Sequence, residues 1–201
     1  MSTMSEAMSY FDPSEVKENV RLMPGKYLGH ISKATIKTDV KVRGKYMSNI
    51  YNFYLKVDGK ANAENTYNVE DINGNMVEHN GDVYDGKEVR SNGVFHFISP
   101  TEFDEFSANP GGNKKYFDLV QGVDAVCTES KVEVDGKEKT IYELPNLAVS
   151  DMVGKPVIAT LNFGKPWKGT DGVERKSMEV KHIVKWEGGK VIDVEAEDLP
   201  F

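Results

Sequence analysis

The sequence contains a single cysteine, Cys127, among its 201 residues. One thiol cannot build an internal disulfide framework, and it cannot supply the several sulfur ligands of a structural zinc site. No apolar run approaches the length that spans a membrane. The first ten residues lack the basic and then apolar order of a secretory signal. These absences predict a cytoplasmic protein.

Recognisable catalytic patterns are also scarce. The four histidines do not have the spacing of metal ligands: His30, His79, His96 and His182. Asp171 with Glu179 and Lys181 forms a loose acidic-x-Lys pattern of the kind that Mg²⁺-dependent nucleases use. Such triplets arise often by chance in a chain with 28% charged residues. We therefore expect no enzyme activity, no cofactor and no metal, and keep a nuclease as the alternative.

What the chain does have is an uneven charge distribution. Its net charge is −7, but Glu187–Phe201 alone carries five acidic residues against one lysine. Lys26–Lys45 carries six basic residues against one aspartate. A basic stripe on the body beside a mobile acidic appendage is typical of a groove that binds nucleic acid phosphates.

Strand-forming segments dominate from Gly25 onward. At least five strands are predicted, over residues 25–37, 47–57, 88–98, 157–163 and 176–186. A capping box at Ser99 predicts a helix over Pro100–Ser107, and apolar spacing predicts a second over Lys114–Asp124. Asp135-Gly136 predicts a hairpin, and residues 58–87 are predicted to form hairpins and loops.

Helices between the third and fourth of five strands are typical of the OB-fold, a five-stranded Greek-key barrel that binds oligonucleotides or oligosaccharides. Other antiparallel sandwiches give a similar pattern. We predict a mainly β chain with the barrel over residues 25–187. A flexible N-terminal arm over 1–24 and an acidic tail over 188–201 complete the organisation.

An OB-fold binds its ligand across strands two and three and through two loops. The loop between strands one and two, Thr38–Tyr46, is basic and ends in an aromatic residue. The loop between strands four and five places Trp167 between two lysines, which offers a stacking surface beside phosphate-binding cations. The candidate residues for single-stranded DNA binding are Lys41, Arg43, Lys45, Tyr46, Tyr54, Lys56, Lys165, Trp167, Lys168, Arg175 and Lys181.

Strand alternation supports three of these assignments. On the second strand it sends four apolar side chains to the core, Tyr51, Phe53, Leu55 and Val57, and turns Tyr54 and Lys56 outward. On the fifth strand it groups His182 and Trp186 with the apolar side and turns Lys181 outward. Two alternatives stay open: ordinary sheet packing for Tyr54, and an apolar plug over one barrel end for Trp167.

The acidic tail finishes in an apolar and aromatic group. Such a segment suits a partner pocket that is apolar and ringed by Arg or Lys. The candidate partner-binding residues are Asp193, Glu195, Glu197, Asp198, Leu199, Pro200 and Phe201. The alternative is a tail that only increases solubility.

The basic and aromatic loops together with Glu197-Asp198-Leu199-Pro200-Phe201 resemble phage-encoded single-stranded DNA-binding proteins with an OB-fold. The resemblance implies protection of exposed strands during DNA replication, recombination and repair in the host cell cytoplasm. It also implies that the tail recruits a polymerase, a helicase-primase or a nuclease. Bacterial single-stranded DNA-binding proteins have a long Gly/Gln-rich linker before a similar tail, and this chain lacks it. The tetramer that the bacterial resemblance implies is therefore in doubt, and the oligomeric state stays open. A carbohydrate- or protein-binding β-sandwich module is a further alternative, which would leave the basic loops and the tail unexplained.

Overall fold

A computed structural model of the chain describes residues 20–42, 46–70, 73–98, 112–134 and 136–193. Within these ranges the protein is mainly β, as predicted, with twelve strands and one α-helix. The strands are β1 Gly25–Val42, β2 Tyr46–Val57, β3 Thr66–Glu70, β4 Met76–Asn80, β5 Glu88–Arg90, β6 Val94–Ile98, β7 Thr128–Val134, β8 Lys137–Glu143, β9 Pro156–Phe163, β10 Trp167–Lys168, β11 Glu174–Arg175 and β12 Met178–Lys185. The helix α1 spans Lys114–Gly122.

The main sheet is built around β1 and β2. Its strands follow the order β12-β9-β1-β2-β5, and β6 also pairs with β2. All of these pairings are antiparallel. An isolated parallel bridge joins Ser91, the residue after β5, to Val180 on β12. The two ends of the strand order therefore approach each other at this bridge.

Three hairpins and α1 are inserted along the chain between the strands of the main sheet. β3 pairs with β4 inside the segment predicted to form hairpins and loops, and β7 pairs with β8 on either side of the predicted Asp135-Gly136 turn. β10 pairs with β11 between β9 and β12. The helix predicted over Lys114–Asp124 is confirmed as α1, whereas the helix predicted over Pro100–Ser107 lies outside the described residues.

The first strand is longer than predicted. β1 continues through Thr38 to Val42, and β2 begins at Tyr46. A register shift between Lys37 and Val40 keeps the two strands paired, with Asp39 in the left-handed region at φ +56. The prediction of a loop over Thr38–Tyr46 is therefore wrong for most of its length, because the bulge lets strand pairing continue where local composition indicates a turn.

The core follows the alternation predicted for the second strand. All four inward side chains of β2 are buried: Tyr51, Phe53, Leu55 and Val57. The inward side of α1 adds three more: Tyr116, Leu119 and Val120. Removing each such side chain from water contributes about 1.5–3 kcal/mol. This shared core fixes α1 beneath the sheet and leaves the opposite side of β2 for other contacts.

His96 on β6 is a buried polar side chain at the edge of this core. Its ring stacks on that of Tyr116, with centroids 4.0 Å apart and planes 9° apart. Its Nδ1 atom has no hydrogen-bond partner among the described residues. Burial lowers the pKa of His96 to about 4, although a hydrogen bond with Asn146 opposes the shift. The imidazole is therefore neutral in the folded protein at neutral pH.

Two predicted strands are interrupted, and both interruptions change which side chains face outward. The strand predicted over residues 88–98 breaks at Gly93, where φ is +71. In β12, Val180 pairs with Leu161 but His182 pairs with Thr160, so Lys181 is an extra residue. This bulge reverses the alternation after Val180, and His182 is exposed rather than on the apolar side as predicted.

Candidate nucleic-acid interface

The side of β1, β2, β5 and β6 that faces away from the core forms the candidate interface, which we call the outer face. In antiparallel pairs, directly opposed residues project to the same side. Pairing with the outward residues of β2 therefore assigns the members of this face. From Ser48 to Lys56 of β2 they are His30, Lys33, Thr35, Lys37 and Val40 of β1, Ser48, Ile50, Asn52, Tyr54 and Lys56 of β2, Glu88 and Arg90 of β5, and Phe95 and Phe97 of β6.

Tyr54 lies in the middle of a basic row across three strands. It pairs with Lys33 of β1 on one side and with Arg90 of β5 on the other. Opposed side chains in such pairs have β-carbons about 4.5–5.5 Å apart, so both cations flank the phenol ring. Tyr54 is half-buried, which leaves part of its ring accessible. The row thus combines a stacking surface with two cations.

A second aromatic position lies further along the same side. Ile50 pairs with Lys37 of β1 and with Phe95 of β6. Phe95 is 36% exposed, and its ring stacks near that of Phe97 at a centroid distance of 5.9 Å. Because Ile50 and Tyr54 are four residues apart on β2, the two aromatic positions are about 13 Å apart along the strand.

Most of the charge on the outer face is positive. Lys33 Nζ lies 3.4 Å from Glu88 Oε2, and this ion pair offsets one of the cations. Arg90 and Lys37 have no acidic partner in the part of the chain that the structure describes, and both are exposed. Unpaired cations beside accessible rings can contact phosphates while bases stack on the rings.

Of the predicted binding residues that the structure describes, two lie on the outer face, Tyr54 and Lys56. Lys41 is exposed near the end of β1, opposite Met47. Tyr46 is only 5% exposed, so little of its ring is available for stacking. Arg43 and Lys45 lie outside the described residues.

Trp167 lies in a different place, on the hairpin formed by β10 and β11. It is 53% exposed and pairs with Arg175, whose guanidinium carbon lies 5.7 Å from the indole centroid. Arg175 also makes a bidentate pair with Asp171, with Nη1 donating to Oδ1 at 2.9 Å and Nη2 donating to Oδ2. Lys165 and Lys168 on either side of the indole are exposed.

The two carboxylates of the possible nuclease pattern each bond a neighbouring cation. Asp171 bonds Arg175, and Glu179, which is 9% exposed, accepts a hydrogen bond from Lys181 at 2.6 Å. Lys181 itself is exposed at the bulge of β12. Among the described residues, no three His, Cys, Asp or Glu side chains are grouped in a way that could hold a metal ion.

The sequence interpretation missed most of the cationic and aromatic residues of the outer face: Lys33, Lys37, Arg90, Phe95 and Phe97. The two lysines belong to the basic stretch Lys26–Lys45, but their side of the sheet follows only from the pairing of β1 with β2. Alternation within Val94–Ile98 separates Phe95 from the inward His96 and could have identified it. For Arg90 the sequence holds no comparable signal, because β5 is only three residues long.

The segment that leads into the acidic tail is attached to the sheet. His30 Nε2 hydrogen-bonds the Lys190 carbonyl at 2.9 Å, and the Ile192 amide donates to the Gly154 carbonyl at 3.1 Å. Asp193 is exposed. The other predicted partner-binding residues, from Glu195 to Phe201, lie outside the described residues. Because His30 pairs with Lys56, the tail begins beside one end of the outer face.

Comparisons of the chain with protein-family models, with curated proteins and with solved structures find no match. No helix within the described ranges is long and apolar enough to cross a membrane.

Proposed function

We propose that the protein binds single-stranded DNA with little sequence preference, through the outer face and the Trp167 hairpin. The observation that carries the proposal is the row in which Tyr54 lies between Lys33 and Arg90, with Phe95 further along the same side. Aromatic side chains stack on any base, and cations track the phosphates, so this combination suits single strands of any sequence. A duplex hides its base faces and cannot use the rings.

The strand pairing supports a barrel of the OB type as the framework. β1 pairs with both β2 and β9, β9 pairs with β12, and α1 lies between β6 and β9. The parallel bridge from Ser91 to Val180 connects the ends of the order. In such a barrel, β5 and β6 together form the third strand. The outer face then corresponds to the surface of strands two and three, which binds ligands in OB-folds.

The acidic tail supplies the second half of the proposed function. Asp193–Phe201 carries four acidic residues and ends in Leu-Pro-Phe, a composition that suits an apolar pocket ringed by Arg or Lys. We propose that it recruits replication or recombination proteins to the bound strand. Protection of single strands during phage DNA replication, recombination and repair would follow from the two activities together.

Fluorescence anisotropy of a labelled oligo-dT of about 20 nucleotides tests the DNA half, since one OB-fold occupies about 4–16 nucleotides. We expect binding that weakens steeply between about 50 and 200 mM salt, and little competition from duplex DNA. Tyr54→Leu should weaken binding by about 1–3 kcal/mol. Tyr142→Leu is the matched control, because Tyr142 is an exposed tyrosine on the separate β7–β8 hairpin.

Equal affinity for duplex and single strand, or equal losses in the two tyrosine variants, would contradict the proposal. The enzyme alternative has its own test with the same protein. Mg²⁺-dependent cleavage of the oligonucleotide that disappears in Glu179→Gln would support a nuclease instead. We expect no such cleavage, because Glu179 already bonds Lys181.

A further inference from the structure

The hairpin that carries Trp167 holds an ion pair against the indole ring. Arg175 is the cross-strand partner of Trp167, and its guanidinium lies over the ring at 5.7 Å from the centroid. A cation in this position is attracted by the negative face of the ring. The bidentate pair with Asp171 fixes the plane and position of the guanidinium. One face of the indole is therefore covered by a cation that a carboxylate holds in place.

The connecting turn is shaped around this ion pair. Asp171 Oδ1 also accepts a hydrogen bond from the Val173 amide at 3.1 Å, and the Gly169 amide donates to the Val173 carbonyl at 3.0 Å. A β-carbon at position 169 would lie only 1.9 Å from Arg175 Nη1, so Gly169 provides the space that the guanidinium occupies. Gly172 adopts φ +76, which glycine tolerates without strain. Asp171 is thus joined both to the turn and to Arg175.

We propose that Asp171 is a positioning residue for single-stranded DNA binding, which holds Arg175 on one face of Trp167 so that the opposite face stacks a single base. The inference rests on the proposed function. A ring that is already oriented loses less side-chain entropy when the base arrives. Arg175 hydrogen bonds keep the pKa of Asp171 below its usual range, so the carboxylate stays ionised and the pair persists in mildly acidic solution.

Removal of the Asp171 carboxylate should change the affinity for DNA in the opposite direction to that expected from charge repulsion alone. A carboxylate near DNA repels phosphates, so its removal ordinarily raises affinity. If Asp171 positions Arg175 and Trp167, its removal lowers affinity instead. Glu174 is the matched control, because it carries the same charge in the same hairpin and is the cross-strand partner of Lys168. The carboxylate that Arg175 bonds is that of Asp171.

Oligo-dT binding by the full chain measures this sign. We expect Asp171→Asn to weaken binding about 3- to 10-fold, a part of the value of one base stack, and Glu174→Gln to leave it unchanged or slightly tighter. In a Trp167→Ala background the loss caused by Asp171→Asn should disappear, because the two residues act through one ring. If Asp171→Asn tightens binding as Glu174→Gln does, or weakens it equally with and without Trp167, the proposal is wrong.

A measurement without DNA separates this proposal from the proposed function. In a Trp186→Phe background, Trp167 is the only tryptophan, and acrylamide quenching reports how much of its ring is accessible. Asp171→Asn should raise the quenching constant and Glu174→Gln should not. Unchanged quenching in Asp171→Asn, with normal oligo-dT binding by the wild type, overturns the positioning role alone. Failure of the wild type to bind oligo-dT overturns the proposed function and, with it, a role for Asp171 in DNA binding.

Discussion

Acidification should destabilise the fold through one histidine. His96 is 9% exposed, stacks on Tyr116 and has a pKa lowered to about 4 by burial. In the unfolded chain a histidine has a pKa near 6.5. Between these values the unfolded chain binds a proton that the folded protein does not bind. Stability is therefore fully present above about pH 6.5 and is lost as the pH falls toward about 4.

The size of the loss follows from the difference between the two pKa values. About 2.5 pKa units correspond to about 3 kcal/mol in total. By the linkage relation, the free energy of unfolding falls by about 1 kcal/mol by pH 5.5 and by about 2–3 kcal/mol by pH 4.5. Because a domain is typically stable by only about 5–15 kcal/mol, urea unfolding curves will resolve such a change.

The measurement compares the wild type with His96→Phe at about pH 7.5, 5.5 and 4.5 by circular dichroism. Phenylalanine keeps an aromatic ring against Tyr116 but cannot be protonated, so the variant should lose about 1 kcal/mol less than the wild type by pH 5.5. Carboxylates titrate in both proteins and cancel in the comparison. His79→Gln, the control, should retain the wild-type pH dependence because it keeps His96. Equal pH dependence in the wild type and His96→Phe would refute the reasoning.

Four further predictions concern the surfaces that carry the proposed function. Phe95→Leu should weaken oligo-dT binding by about 1–3 kcal/mol without a large change in thermal unfolding, because the ring is partly exposed; a collapse of stability would instead make Phe95 a core residue. Arg90→Ala should reduce the slope of log affinity against log salt by about one, as expected for the loss of one phosphate contact. An unchanged slope would show that Arg90 does not contact a phosphate. Deletion of Val194–Phe201 should raise oligo-dT affinity at low salt, since this polyanion competes for the basic surface beside which the tail begins. Phe201→Ala should leave that affinity unchanged and abolish partner recruitment in a pull-down. Equal low-salt affinities of the truncated and full chains would contradict the competition.

Local pattern in the sequence determined the elements that depend on near neighbours. Alternation along β2 identified Tyr51, Phe53 and Leu55 as core, and helical spacing identified α1, because both periods are set by backbone geometry within a few residues. The Asp135-Gly136 dipeptide marked the β7–β8 hairpin for the same reason.

Only the tertiary structure decided which distant residues share a surface. Lys33, Tyr54 and Arg90 come from three strands, and their common side depends on the register of β1, β2 and β5. The register of β1 against β2 shifts by one residue between Ile31 and Lys33, and a shift of one residue turns a side chain to the opposite face, so this shift places Lys33 beside Tyr54.

The site at Trp167 shows the same division on a smaller scale. The sequence indicated an accessible tryptophan among lysines, because glycine-rich connectors lie at the surface. It did not indicate that Arg175 lies on the ring or that Asp171 holds it there. Those contacts depend on the β10–β11 pairing and on the space left by Gly169, and both exist only once the hairpin has closed.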